Sequence, residues 1–70
     1  MLTLEELKRI ATSVEVIPNS NMHRLEPSVK ATHIPTGKIV HIYKIIETTN
    51  RVIVRGWMHS LPVRDFKIEG

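Results

Sequence analysis

From Val29 to Trp57 the chain is almost continuously strand-forming, and only two short turn sequences interrupt it. Val29-Lys30-Ala31-Thr32-His33-Ile34 reads as one strand and Lys38 through Ile46 as a longer one. Between them, Ile34-Pro35-Thr36-Gly37 puts proline second and glycine fourth in a type I turn. A left-handed Gly37 then gives a three-residue hairpin loop closed by a bulge. Glu47-Thr48-Thr49-Asn50 is a second turn, and Arg51-Val52-Ile53-Val54-Arg55-Gly56-Trp57 a third strand. Ser60 to Arg64 breaks the run before a last short strand at Phe66-Lys67-Ile68. Upstream, Met22 to Pro27 reads as extended, with Pro27 at an edge or a bend because it cannot donate to a ladder.

The N-terminal part follows a different period. Thr3 and Glu6 have capping-box spacing, and Leu2 and Leu7 stand at the positions of a hydrophobic staple around that cap. Leu4, Leu7, Ile10, Ala11 and Val14 recur at helical spacing, with Glu5, Lys8, Arg9 and Thr12 on the other side. A helix over about 3–13 follows. At roughly 10 residues it is marginal alone in water, so it must dock on the remainder. Val14-Glu15-Val16-Ile17 is also β-branched and short, and Pro18-Asn19-Ser20-Asn21 is a run of loop formers.

The expected fold class is therefore mainly β, of α+β type: a short N-terminal helix packed on a small, strongly bent antiparallel sheet. Its 70 residues make one small domain, 1–70, with the β-rich part at about 22–69. A chain this short buries only about 60% of the surface its unfolded form exposes. Its 41% hydrophobic content still suffices for a core and excludes a disordered tail. There is no cysteine, hence no disulfide framework, thiolate metal site or thiol nucleophile. No apolar run is long enough to span a membrane, and none reads as a signal peptide. A cytoplasmic protein is expected.

The stretch from Val52 to Ile68, a strand, a Ser-Leu-Pro-Val turn and a short closing strand, is similar to SH3-like small barrels. That resemblance implies a fold and no particular function. Ser28 to Val40 resembles a segment of class I peptide-chain release factors, where it follows a Gly-Gly-Gln loop. Here the preceding residues, Asn19 to Arg24, contain neither glycine nor glutamine. Tyr43-Lys44-Ile45-Ile46 also replaces the polar stretch that follows in that family. No hydrolytic residue carries over.

The chain has Lys+Arg 10 against Asp+Glu 7, a net charge of +3. From Met22 onward eight cations face Glu26, Glu47, Asp65 and Glu69, so this part carries +4. Such a balance favours anionic partners. His23, His33, His41 and His59 match no common zinc spacing, and His33 and His41 would share a face of the bulged hairpin. Asp65 is the sole aspartate and there is no glycine-rich phosphate loop. Neither a catalytic residue, a metal, a cofactor nor a small-molecule substrate is expected, and the chain reads as a non-enzyme.

Surface recognition remains. By two-residue alternation Arg51, Ile53, Arg55 and Trp57 share one face of the third strand, while Val52, Val54 and Met58 share the other. His41 and Tyr43 share a face of the strand before it. The expected function is a small binding or accessory protein acting through a protein partner or a homodimer. The alternative is a nucleic-acid-binding module that uses Arg51, Arg55, Trp57, Tyr43 and His41 as a basic-aromatic face.

Overall fold

Thr3 caps the helix that the N-terminal pattern predicts. Its hydroxyl oxygen accepts from the Glu6 backbone N–H at 3.2 Å and lies 3.4 Å from the Glu6 carboxylate. In this computed structural model α1 spans Leu4–Ile10, and the described residues are 2–68. Met1, Glu69 and Gly70, which belong to the expected domain span, lie outside the described residues. Leu2 and Leu7 are both buried, as the staple requires.

The helix ends three residues earlier than its apolar stripe suggests. Ala11 is extended, and Ser13–Val16 forms strand β1, which pairs with residues 23–26. Strand pairing wins because it satisfies the backbone groups of a β-branched segment, which an isolated last turn would leave to solvent. Val14 thus reaches the core from a strand, and Ile10 is 49% exposed.

Five further strands follow: β2 (Met22–His33), β3 (Lys38–Ile46), β4 (Arg51–Val54), β5 (Leu61–Pro62) and β6 (Phe66–Ile68). A 3-10 turn at Val63–Asp65 separates the last two. All pairings are antiparallel in the order β1-β2-β3-β4-β5, and β6 returns to β2. Along one edge of β2, β1 takes residues 23–26 and β6 takes residues 31–33. The molecule is mainly β, with a six-stranded antiparallel sheet and one short helix. The sheet is not closed, so the strand order that resembles a small barrel does not close into one here.

Leu2, Leu4 and Leu7 from the helical end pack with Leu25, Val29, Val40, Ile42, Val52, Val54 and Phe66 from one sheet face. At about 1.5–3 kcal/mol for each large apolar side chain, this burial is the main stabilising term. Lys8 on α1 pairs with Glu47 in the β3–β4 turn, adding a polar tie between helix and sheet. Mainly through their hydrogen bond, Glu47 holds Lys8 above the ordinary ammonium value and Lys8 holds Glu47 below the ordinary carboxylate value.

The β2–β3 hairpin contains the segment that resembles release factors. Its glycine is left-handed, with φ +72° at Gly37, but the loop has four residues rather than three. The His33 carbonyl accepts from Gly37 at 2.7 Å, and His33 pairs directly with Lys38. One additional loop residue reverses the facing of everything beyond it. His33, alternating with Val29 and Ala31, is buried between the rings of Phe66 and Trp57 at centroid distances of 5.0 and 5.1 Å, and His41 consequently falls exposed on the opposite face.

Candidate functional site

With α1 on the inner face, the outer face of the sheet stays open, and strand register decides which side chains share it. Lys30 lies opposite His41, and the His41 carbonyl accepts from the Arg55 N–H at 2.8 Å. Lys30, His41 and Arg55 thus form a row across β2, β3 and the end of β4, about 10 Å wide at ordinary strand spacing. All three are exposed. A neighbouring row sets Thr32 between Ile39 and Lys67. On the other side, Glu15, Arg24, Lys44 and Ile53 form a row across four strands.

Tyr43 sits between these rows, where the ladder breaks on both sides. Four residues of β2, Leu25 to Ser28, face only Tyr43 between the pairs Arg24↔Lys44 and Val29↔Ile42. Towards β4, Tyr43 is again the surplus residue, between Ile42↔Val54 and Lys44↔Ile53. This bulge turns Tyr43 and Lys44 into consecutive half-buried positions where alternation would bury one of them. The Lys44 ammonium and the Arg55 guanidinium both lie over the Tyr43 ring, at 5.3 and 5.4 Å from its centroid.

Of the five residues expected in a basic-aromatic face, the structure brings together His41, Tyr43 and Arg55. Arg51 lies on this face too, opposite Ile46, but its guanidinium is engaged: its Nε donates to Ser60 Oγ at 2.9 Å and its Nη2 to the Ser60 carbonyl at 2.6 Å, tying down the segment before β5. Trp57 turns inward. Gly56 adopts φ +85°, the Trp57 N–H donates to the Val54 carbonyl at 3.1 Å, and the indole packs edge-on against His33 at the core. The same turn sends Met58, expected beside Val52 and Val54, to 93% exposure.

Sequence reasoning missed Arg24, Lys30, Lys44 and Lys67. Lys30 was readable, since it alternates with Val29 and Ala31; the other three needed the strand pairing. Counted over the outward positions of the strands and Arg55 just after β4, Arg24, Lys30, Lys44, Arg51, Arg55 and Lys67 face only Glu15 and Glu26. Among the described residues no three His, Asp or Glu side chains gather at metal-binding distance, and no helix is long and apolar enough to cross a membrane. No known protein family, curated protein or solved structure matches this chain.

Proposed function

We propose that this protein is a non-enzymatic nucleic-acid-binding module whose outer sheet face holds the phosphate backbone. The observation that carries this reading is the register itself, which lines up cations from β2, β3, β4 and β6 on a face where α1 does not lie. A duplex or single strand presents a regular row of negative charge, and neutralising it releases counterions. A flat array of arginine and lysine suits that ligand better than a catalytic substrate, because it offers charge without an enclosed cavity. The strand, 3-10 turn and strand at the C-terminal end, returning to β2, support a distant SH3-like relationship. A cytoplasmic setting accords with this role.

A protein partner is the second reading, and a specific feature favours it. Strand β1 pairs only with β2, so among the described strands its other edge has no partner, and Val16 on it is 63% exposed. Such an edge can accept a strand from another chain or from a second copy.

Titration against labelled single-stranded and duplex oligonucleotides at several salt concentrations separates the two. Backbone binding by four to five cations gives a log–log slope of about −4. Lys30→Ala and Arg55→Ala each reduce that slope by about one, whereas Arg9→Ala, on the exposed side of α1, leaves it unchanged. No binding at low salt, or a slope indifferent to Lys30 and Arg55, would transfer the function to the protein-partner reading.

A further inference from the structure

The double break in the ladder at Tyr43 leaves a recess of about 290 Å³ in the outer face. It is lined by Arg24, Glu26, Ser28, Tyr43, Lys44 and Arg55 among others. Three cations and two hydroxyl-bearing residues surround it, against the single carboxylate of Glu26. A second hollow, lined by Thr49, Asn50, Arg51, Pro62 and Arg64, lies beside β5, where Ser60 already engages the Arg51 guanidinium. At the coincident register shifts, three cations surround one hollow.

We infer that this recess seats one phosphodiester group of the bound nucleic acid, and that the backbone is held there without base stacking. The inference rests on the nucleic-acid reading above and specifies its ligand chemistry. Three features support it. First, Arg24 and Lys44 are direct cross-strand partners, so two positive charges flank the recess at fixed spacing. Like charges placed opposite each other are unfavourable, and Glu15 across from Arg24 and Glu26 in the recess offset three cations only in part. Second, at about 290 Å³ the recess stands at the lower limit of the roughly 300–1,000 Å³ of ordinary small-molecule pockets. A recess of that size has room for a phosphate and its sugar. Third, Tyr43 has two cations over its ring, and Trp57 is packed against the core. The ring of Tyr43 therefore acts as a positioning residue that holds Lys44 and Arg55 towards the recess. Binding of this kind is indifferent to sequence and similar for single and double strands.

Amide-resolved NMR of the full chain tests the recess separately from the face. Inorganic phosphate is the probe, an uncharged nucleoside the control, and a single-stranded oligonucleotide the competitor. Phosphate should shift the Arg24, Ser28, Tyr43 and Lys44 amides saturably, the nucleoside should not, and the oligonucleotide should displace the phosphate. Tyr43→Leu should weaken phosphate about two- to fivefold, while Tyr43→Phe, which keeps a ring under both cations, retains binding. Oligonucleotide binding without saturable phosphate shifts at these amides overturns the recess and leaves the face reading intact. Saturable phosphate with no oligonucleotide binding at low salt overturns the phosphodiester as its ligand, and the nucleic-acid reading with it. Equal weakening by Tyr43→Phe and Tyr43→Leu overturns the positioning role of the ring.

Discussion

Gly37 is the residue whose conformation the hairpin most depends on. At φ +72° it closes the four-residue loop, and a Cβ built there meets no atom within 4 Å. Any penalty for replacing it is therefore conformational rather than steric crowding. Left-handed backbone costs an L-residue about 1–2 kcal/mol, with β-branched side chains suffering most and asparagine least. Gly37→Val should lower the melting temperature clearly, and Gly37→Asn should recover most of that loss. Equal melting temperatures for the two variants would contradict a left-handed loop terminus. His33 depends on the same loop: its Nδ1 lies 2.9 Å from Thr36 Oγ1, so the turn also orients a ring that packs in the core.

At the level of elements, a seven-residue helix survives because it is tied at both ends. The Thr3 cap and the Leu2–Leu7 staple hold its start, and the Lys8–Glu47 pair joins its last turn to the β3–β4 turn. The pair lies in contact with solvent, so its contribution is at most about 1 kcal/mol and is screened by salt. Its pH dependence has a definite sign. Glu47 is lowered in the folded state, so its contribution is present above the unfolded carboxylate value of about 4.3 and is lost as pH falls through the folded value. Lys8 is raised, so its contribution is present below about 10.4 and is lost as pH rises through its folded value. Lys8→Gln should lower the melting temperature slightly at neutral pH, and the gap should close in strong acid. A gap of the same size at both pH values would show that the ion pair contributes nothing.

Across the whole molecule, stability depends on very few side chains. Phe66, from a three-residue strand, is fully buried against His33, and β6 is held on β2 by only three residue pairs. A domain of this size has a total stability of about 3.5–10 kcal/mol. Phe66→Ala should remove about 3–5 kcal/mol of it, a loss readable as a large fall in the urea midpoint with β6 and the 3-10 turn released. A midpoint within experimental error of the parent protein would place the core elsewhere. The same economy divides the molecule by face: the helix and the buried apolar side chains occupy one side of the sheet, and the cations gather on the other.

The amino-acid sequence by itself determined many of the features set by near neighbours. The helix cap and staple, the loop at Pro18–Asn21, the left-handed Gly37, the turn at Glu47–Asn50 and the positions of the main strands follow from residues a few places apart. His41, Tyr43 and Arg55 were legible as site candidates for the same reason, since alternation within a strand is local. Tertiary structure alone decided the helix end at Ile10, the four-residue loop that sets His33 and His41 on opposite faces, the bulge at Tyr43 and the return of β6 to β2. It also drew Trp57 inward, tied Arg51 to Ser60 and placed Arg24, Lys44 and Lys67 on one face with Lys30. These depend on register between distant segments, and a slip of one residue carries a strand's side chains to the opposite face. Period within a strand says which residues go together; only pairing between strands says which side they take.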